Sequence, residues 1–486
     1  MKINRMKFSR NIVILLLLVF TGCKIHEPYK RPEFKEPANF YGSEKDIEGD
    51  TASIANTNWK DFFSDPLLIS LIDSALVNNI DLQIADEYIE MGLSRLKQSK
   101  ANFFPSVSVA PIKARRDYFS ENYNNYGSNR SRRIYGGETP PASFYTERLE
   151  YETSIGLSWE LDLWGKLKSQ KETGLLSYMK TIEFQKAVQT SLIAEIATTY
   201  SNLLLLESQL AVFNRNLLLN DSTLQMVKLQ YDAGEVTSLA VKQTQSQSLR
   251  AQTLIPQLER EYIRQENRLN RLIGRFPESI DAEELKWTMI DEEYVVGMPI
   301  ELLRNRPDVA AAEYNLRESY ERVGIANAMK YPSISIGASV GLNSFEIEKL
   351  LNPVNSGFLL LNGLVFQPIF QKRKLKTNYE LALSEKKIAE LEFRDKFLQA
   401  MNEVSDALVA IEKLKEEYTI AQNRVEAARN SVKDAFLLFR SGMATYLEVI
   451  TAQSEALDSE LNLESVKMQI FTANVELYRS LGGGWK

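Results

Sequence analysis

The residues that most often do chemistry in proteins are scarce in this sequence. It has one histidine, His26, and one cysteine, Cys23. Without further His or Cys, the chain has no zinc site of the usual ligand type and no Ser-His-Asp arrangement. Catalysis by carboxylates alone stays open because 64 acidic residues are present, but no Asp/Glu pair stands in a recognisable site context. The sequence therefore predicts a protein that is not an enzyme and that binds no cofactor or metal.

Cys23 lies at the end of a segment that is typical of a secreted lipoprotein. Basic residues precede the apolar run Ile12–Phe20, which is shorter than the roughly 20 residues of a membrane-spanning helix and has the length of a signal sequence. The run leads into Phe-Thr-Gly-Cys, which resembles a bacterial lipobox, although Phe20 stands where Leu is usual. We expect a signal peptide over 1–22, lipid attachment at Cys23 and a lipid-anchored segment over 23–58. The alternative is a buried free cysteine.

Composition limits the partners. The net charge is −6 and no basic block carries aromatic residues, so nucleic acid is not an expected partner. Hydrophobic residues make up 44% and charged residues 25% of the chain, which is typical of a folded protein and not of a disordered one.

Two segments have the pattern of strands that cross a membrane. Beyond residue 23, no apolar run approaches the roughly 18 residues of a transmembrane helix. Ser154–Leu163 and Ser333–Leu342, however, alternate strictly between apolar residues and small or polar ones. Ten residues is the length of a tilted transmembrane strand, about 9–11 residues. A half-buried strand in a soluble sheet alternates in the same way and is the alternative.

One phrase of the sequence occurs twice. Ala101–Val109 reads ANFFPSVSV and Ala328–Ile336 reads AMKYPSISI, 227 positions apart. Beyond this segment the separation falls: pairing Trp164 with Phe370 gives 206, and YDAGEVTSLAV matches FRSGMATYLEV at 208. Self-similarity over such a distance indicates a duplicated half-structure and not a solenoid of about 34-residue repeats. The first copy carries about 20 extra residues after its Pro-Ser segment.

Each copy should contribute a β-hairpin to one sheet. We expect repeat 1 over 59–298 and repeat 2 over 299–486, with hairpins over about 106–163 and about 333–367. The four expected strands are Ser106–Ile112, Ser154–Leu163, Ser333–Leu342 and about Gly357–Gln367. Membrane barrels start at about eight strands, so several chains would have to share one barrel.

The remainder predicts long helices. Lys166–Asp232 has no proline and one glycine, and Lys374–Arg440 has neither, so each could form a rod of ~100 Å. Both end at a glycine turn, 232–237 and 440–445, before a further helix, which makes two helical hairpins. The second long helix has an a/d heptad register typical of a coiled coil, at positions Val404, Ala407, Ile411, Leu414, Tyr418, Ala421, Val425, Ala428, Val432, Ala435 and Phe439.

Five segments occur in an order that is characteristic of one family. They are PYKRPE (Pro28–Glu33), WKDFFSDPLLISLIDSALVNNIDL (Trp59–Leu82), LSWELDLWGKL (Leu157–Leu167), ELLRNRPDVAAAE (Glu301–Glu313) and SLGGGW (Ser480–Trp485). Over nearly its whole length the sequence thereby resembles the outer-membrane factors, the TolC-like exit ducts of tripartite RND-type efflux pumps, and especially their lipoprotein branch. It departs from that family at Gln371–Lys372–Arg373, where a Gly-containing turn is usual.

The resemblance implies a fold and a set of partners. Members are homotrimers, in which a transmembrane β-barrel shared by three chains, with four strands each, continues into a long coiled-coil tunnel in the periplasm. The implied function is passive export of small molecules through the outer membrane of a Gram-negative bacterium. The implied partners are outer-membrane lipid, an inner-membrane RND-type transporter and a periplasmic adaptor that contacts the hairpin tips at Gly234 and Gly442.

The resemblance also implies a channel constriction just past the second tip. Family members often carry acidic residues there, which by position are Glu448 and, at a second site, Thr451. The first copy has Ala240 and Gln243 at these places. A solvated surface glutamate is the alternative for Glu448.

Other functions stay possible at this point. An exit channel of a type I protein secretion system shares the fold. A lipid-anchored coiled-coil protein with a structural or adhesive role, or a carboxylate glycosidase, comes from a different class. A structural rod predicts no conductance in a bilayer, and a glycosidase predicts turnover.

Overall fold

The structure, a computed structural model, describes residues 28–32, 40–41, 53–119, 146–280, 297 and 299–486. These residues form mostly helices and one sheet, so the predicted mixed α and β class is confirmed. The helices are α1 Trp59–Phe62, α2 Pro66–Asn78, α3 Ile80–Ala101, α4 Lys166–Asp232, α5 Ser238–Ile273, α6 Leu302–Asn305, α7 Pro307–Ala328, α8 Pro353–Ser356, α9 Lys374–Arg440 and α10 Tyr446–Ser480. The strands are β1 Ser106–Phe119, β2 Thr146–Leu161, β3 Ser333–Ser344 and β4 Gly357–Phe366.

The chain divides into two compact units, and each draws on both sequence repeats. Ser94–Leu175 and Arg317–Lys387 make most of the first unit, which holds the sheet. Arg31–Leu93, Leu176–Leu316 and Ile388–Lys486 make the second unit, which holds the turns between the long helices.

The two sequence copies have matching elements. Helices α3 and α7 each have 22 residues and start 227 positions apart. Helices α4 and α9 each have 67 residues and start 208 positions apart, and α5 and α10 also start 208 positions apart. The change from 227 to 208 falls within the β-hairpins, because the first hairpin is longer.

Helix α2 shows how local sequence sets a helix start. The Asp65 carboxylate accepts hydrogen bonds from the backbone N–H groups of Leu67 and Leu68. Pro66 occupies the first position of the helix, where a backbone N–H would have no partner within the helix and where proline, which lacks an N–H, is favoured. The helix then buries Leu68, Leu71, Ile72 and Ala75. Among the described residues no single helix is long and apolar enough to cross a membrane, although α2 and α3, bent by 41°, meet that test as a pair.

The burial pattern of α9 follows its heptad register. The a and d positions are buried or half-buried along the helix, whereas most positions between them are exposed. The buried set from Val404 onward is Val404, Ala407, Ile411, Ala421, Val425 and Phe439. Large a and small d residues let another helix approach closely on this face, as in coiled coils.

The four strands form one antiparallel sheet in the order β1-β2-β3-β4. Strands β1 and β2 continue farther than expected, to Phe119 and back to Thr146, and their last pairs lie beyond the end of β3 at Ser344. The expected bounds, with β1 ending at Ile112 and β2 beginning at Ser154, were therefore too short. The additional pairing includes Arg115 opposite Glu150, a charged combination that carries no apolar alternation to reveal a strand.

A bulge divides β1. Ala110 lies opposite Ser154 and Lys113 opposite Glu152, so β1 has one extra residue at this point. Pro111 lies inside the bulge, where a residue without an N–H is tolerated. Because the bulge shifts the alternation by one, the side chains of β1 change faces there.

The two passages from strand to helix match at a single separation of 208. In the sheet, Ser106 pairs with Ser158 and Ser333 with Phe366, and the following helices begin at Lys166 and Lys374. Trp164 is therefore matched by Lys372 and not by Phe370, which corrects the pairing at 206.

The departure from the family pattern lies in this passage. Gly165 has φ of 76°, and its counterpart Arg373 keeps the left-handed backbone with φ of 66°. Lys372 also has a positive φ, of 46°. A non-glycine residue with left-handed backbone is strained by roughly 1–2 kcal/mol. Arg373 thus adopts the left-handed conformation of Gly165 without being a glycine.

A buried ion network explains the Glu301–Glu313 block in the second unit. The Arg306 side chain, 4% exposed, donates to both oxygens of Asp308 at 3.0 and 2.8 Å. It also donates to Glu403 at 2.8 Å and to the carbonyl of Ser480 at 3.0 Å. Burial lowers the pKa of Arg306, but Asp308 and Glu403 outweigh burial and raise it. The network links α7, α9 and the end of α10, so loss of one member leaves a buried charge unpaired.

Candidate functional site

The two helical hairpins turn in the same way. Gly234 and Gly442 have φ of 78° and 73°. In each turn the glycine N–H donates to a carbonyl three residues back, that of Tyr231 or of Phe439, at 3.0 and 3.1 Å. A left-handed residue closing the helix C-terminus favours glycine, so the sequence dictates both tips.

The two tips pack against each other through a small apolar cluster in the second unit. Val227, Ala240, Phe439 and Val449 are buried in it. Partly buried residues surround them, namely Met226, Val236, Val241, Ala435, Phe436 and Tyr446. The cluster therefore fixes the first turns of α5 and α10 side by side.

Glu448 is exposed on the first turn of α10 and takes part in the helix cap. The Thr445 hydroxyl accepts from the backbone of the first turn, and the Glu448 carboxylate accepts from the Thr445 N–H at 2.9 Å and from its hydroxyl. This is a capping box, whose signature Thr-x-x-Glu was present in the sequence. The hydrogen bond from the Thr445 side chain, more than any other cause, lowers the pKa of Glu448. The carboxylate is thus ionised at neutral pH.

The other residues of the predicted constriction lie nearby. Thr451 is exposed one turn beyond Glu448 and donates its hydroxyl to the Leu447 carbonyl at 2.9 Å. Ala240 is buried in the apolar cluster, whereas Gln243 is exposed and accepts a hydrogen bond from the Tyr446 hydroxyl. Sequence reasoning missed this contact, because the repeat relates equivalent positions of the two tips and does not show which side chains of the tips touch.

Ion pairs hold α10 to the neighbouring long helices. Glu455 lies 3.4 Å from Arg424, and Glu460 lies 2.6 Å from Arg429, both on α9. Glu460 also pairs with Arg215 on α4. Exposed pairs of this kind contribute about 0–1 kcal/mol each, so they set orientation more than stability.

The described part of the N-terminal segment contacts α7. Arg31 donates to both carboxylate oxygens of Glu313, at 3.1 and 2.6 Å. In the first unit, the Tyr29 ring meets the Tyr320 ring edge-on, with centroids 5.4 Å apart, and lies under Arg317. Cys23 and His26 lie outside the described residues.

The chemical feature that the second tip presents to solvent is a charge. Across the described ranges, no group of three or more His, Cys, Asp or Glu could hold a metal ion. The acid at the second tip is exposed and ionised, and it accepts hydrogen bonds from Thr445 in its own helix cap. Such a carboxylate can attract cations and shape the field around it.

Comparison with known proteins supplies the family. The model of the outer membrane efflux protein family matches residues 71–275 and 298–483. The chain is 28% identical, over 99% of both chains, to the solvent efflux pump outer membrane protein SrpC of Pseudomonas putida. It is 26% identical to the cation efflux system protein CusC of Escherichia coli, over 96% of this chain and 97% of that one.

The fold is shared with solved channels. The outer-membrane channel OprN superposes with a TM-score of 0.83 at 23% identity, over 95% of this chain and 100% of that one. The family match spans most of the sequence, which confirms the resemblance to the outer-membrane factors and the location in the outer membrane of a Gram-negative bacterium. The chain belongs to the outer membrane efflux protein family and is the outer-membrane channel of a tripartite efflux pump.

Proposed function

We propose that three copies of this chain form one passive exit duct, in which a shared barrel continues into a helical coiled-coil tunnel. The observation that carries the proposal is a four-stranded sheet whose outer strands, β1 and β4, each pair with one strand only among the described residues. Backbone groups left unpaired in lipid cost several kcal/mol each. Three chains would supply about twelve strands, within the range of membrane barrels, whereas four strands lie below it.

The assembly is tested by mass and conductance. In detergent the full chain should be a trimer by light scattering, and in a planar bilayer it should conduct ions. A monodisperse monomer that does not conduct contradicts the shared duct.

The duct would serve small molecules that an inner-membrane RND-type transporter moves through a periplasmic adaptor, which contacts the tips at Gly234 and Gly442. Names of relatives support this cargo, since SrpC belongs to a solvent pump and CusC to a cation efflux system. They favour it over the type I secretion alternative. Co-expression with a matching adaptor and RND-type transporter should restore resistance to small toxic compounds in a host without its own channels. Restored protein export instead would support the alternative.

Cys23 would carry the lipid that anchors the mature chain. Its support is the sequence Phe-Thr-Gly-Cys after a signal-like run. Mass spectrometry of the mature N-terminus should find an acylated cysteine, and Cys23→Ala should abolish both acylation and cleavage at this site. An unmodified chain that starts elsewhere would falsify the anchor.

The constriction would lie beside the second tip. Three chains would place three Glu448 carboxylates around one axis, with Thr451 a turn further, and carboxylate rings favour cations in pores. An ionised, exposed Glu448 supports this arrangement.

A further inference from the structure

The internal duplication of the sheet provides a template for the seam between subunits. We infer that β4 of one chain pairs with β1 of a partner subunit in the register that β2 and β3 already use within the chain. The inference rests on the proposed trimer and adds which residues meet. In it, β4 extends beyond Phe366, and Gln367 and Ile369 lie opposite Val109 and Val107 of the partner subunit.

The two hairpins match residue by residue. Ser106 pairs with Ser158 and its hydroxyl donates to the Ser158 carbonyl at 3.2 Å. In the second hairpin Ser333 pairs with Phe366, and its hydroxyl donates to the Phe366 carbonyl at 3.5 Å. Up to the bulge after Ala110, residues of β3 therefore correspond to those of β1 227 positions earlier, and residues of β4 correspond to those of β2 208 positions earlier.

A second pair of hydrogen bonds repeats with the same separations. The Trp159 indole donates to the carbonyl of Phe103 at 2.9 Å. Its counterpart Gln367 donates its amide to the carbonyl of Lys330 at 3.2 Å. Different side chains thus make the same contact, so the equivalence continues past the last residue of β4.

The pairing of β2 with β3 transfers to the open edges. Within the chain Trp159 lies opposite Ile336, and Leu161 lies opposite Ile334. Each β2 residue is replaced by its β4 counterpart, 208 positions later, and each β3 residue by its β1 counterpart, 227 positions earlier. The result places Gln367 opposite the partner's Val109 and Ile369 opposite the partner's Val107. Both valines precede the bulge at Ala110, so the correspondence holds for them.

The backbone directions agree with this register. In an antiparallel sheet, the N–H and C=O groups of successive residues point to opposite neighbours. The Phe366 carbonyl accepts a hydrogen bond from the Ser333 hydroxyl of β3, and β4 ends at Phe366 in the single chain. In the extended β4 of the proposed seam, alternation places the backbone groups of Gln367 and Ile369 at the outer edge. Pro368, which has no N–H, is then on the β3 side, where a missing donor leaves the new seam intact.

The same reasoning applies to the other edge. The Ser158 carbonyl points to β1, where it accepts from Ser106, so Ser106 faces β2. By alternation, the backbone groups of Val107 and Val109 point away from β2, to the open edge. Each edge therefore offers hydrogen-bonding groups at the residues that the template brings together.

Apolar side chains that are exposed in the single chain lie along both outer edges of the sheet. Ile369 is 93% exposed in the single chain and Val107 is 65% exposed. Their counterparts Leu161 and Ile334 are both half-buried where β2 meets β3. Burying two such side chains between subunits removes apolar surface from solvent and stabilises the seam.

The passage after β4 extends the match to a polar contact. The Trp164 indole donates to the carbonyl of Pro332, just before β3, at 2.6 Å. Lys372 occupies the position of Trp164, and Pro105 occupies that of Pro332. The template therefore directs the Lys372 ammonium to the carbonyl of the partner's Pro105.

Engineered cysteines in the full chain test the register. Gln367→Cys combined with Val109→Cys should oxidise to a covalent trimer on denaturing gels, because opposed residues have Cα atoms roughly 4.5–5.5 Å apart, within the reach of a disulfide. Gln367→Cys with Val107→Cys represents a slip by two residues, which keeps the same faces; its Cα atoms lie roughly 7–8 Å apart and should not link.

Two controls accompany these pairs. Trp159→Cys with Ile336→Cys should close within one chain and leave its mass unchanged, since these residues are opposed in β2 and β3. The parent chain, whose one cysteine is Cys23, gives the background.

The outcomes separate the register from the trimer. Covalent trimers from the slipped pair overturn the register and leave the trimer standing. A protein of trimeric native mass in which neither pair links has the same meaning. A monomeric native mass with no linkage overturns the trimer and the seam together. Linkage of the opposed pair alone supports the seam.

Discussion

The two hairpin tips share one backbone and differ in what their next residues do. Gly234 and Gly442 have nearly the same left-handed φ, and Thr237 and Thr445 both begin the following helix with extended backbone. Three residues on, the first tip has Ala240, fully buried in the apolar cluster, and the second has Glu448, which is exposed.

The difference arises because the tips pack against each other without symmetry. Helix α5 turns its third residue, Ala240, into the cluster, whereas α10 turns its fourth, Val449, inward. Position three of α10 is thereby left outside, where an acid can cap the helix and face solvent. The two turns thus share a backbone, and the packing leaves room for a charge at the second tip and not at the first.

The largest effect should come from making the first tip like the second. Ala240→Glu places a carboxylate in an apolar site that is 0% exposed. An unpaired charge there should destabilise the fold by about 4 kcal/mol or force the tips apart. Thermal unfolding followed by circular dichroism should show the loss, together with a lower yield of trimer.

Gln243→Glu is the matched control for this substitution. It adds the same charge one turn along the same helix, at an exposed position, and should shift stability by less than about 0.5 kcal/mol. Equal tolerance of both variants would mean that the cluster does not hold the tips together.

A smaller and symmetric effect should come from the glycines. Within the described chain, a Cβ added to Gly234 or Gly442 meets nothing within 4 Å, so the cost of Gly→Ala is that of left-handed backbone alone. We expect each variant to lose about 1–2 kcal/mol, by similar amounts. Thermal unfolding of the two variants side by side measures this, and a clearly unequal loss would show that the turns differ in more than sequence.

The caps should separate the tips again. Thr445→Ala removes the hydroxyl of a capping box and should cost about 1 kcal/mol. Among the described residues, the Thr237 side chain makes no cap hydrogen bond, so Thr237→Ala should cost much less. Amide hydrogen exchange in the first turns of α5 and α10 reports each cap locally. A similar acceleration in both helices would remove the distinction.

The sequence predicted those parts of the fold in which a repeating pattern of apolar residues reflects which side chains are buried. Long helices follow from heptads and from the absence of proline, and tips follow from glycine. The extension of β1 and β2 was not predictable, because residues such as Arg115 and Glu150 leave no apolar alternation. The buried Arg306 network was also hidden, since its partners Glu403 and Ser480 lie far along the chain. At the site, the capping signature was readable, whereas the burial of Ala240 required the packing of the two tips.

The charge of Glu448 should make the second tip sensitive to pH. The hydrogen bond from Thr445 lowers its pKa below the ordinary 4.5. A lowered pKa means that the ionised group stabilises the fold above about pH 4.5, and that this contribution disappears as pH falls through the folded-state pKa. The melting temperatures of the parent and Glu448→Gln should therefore differ near roughly pH 6 and converge near roughly pH 3. Glu235→Gln, at the first tip, is the control. A difference in melting temperature between the parent and Glu448→Gln that grows as the pH falls would contradict the assignment.

The smallest effect on stability should accompany a clear effect on conduction. Glu448→Gln keeps the capping box, because Gln serves the third helix position as Glu does, but it removes the charge. If three carboxylates line the constriction, the variant should lose cation selectivity and block by divalent ions, since a ring of like charges attracts cations. The reversal potential in a planar bilayer under a salt gradient measures this. At the first tip, Ala240 and Gln243 carry no charge, so that tip offers no compensating acid at these positions. Gln243→Glu should then raise selectivity if both tips face the pore. Unchanged selectivity in both variants would leave Glu448 as a helix cap alone and place the constriction elsewhere.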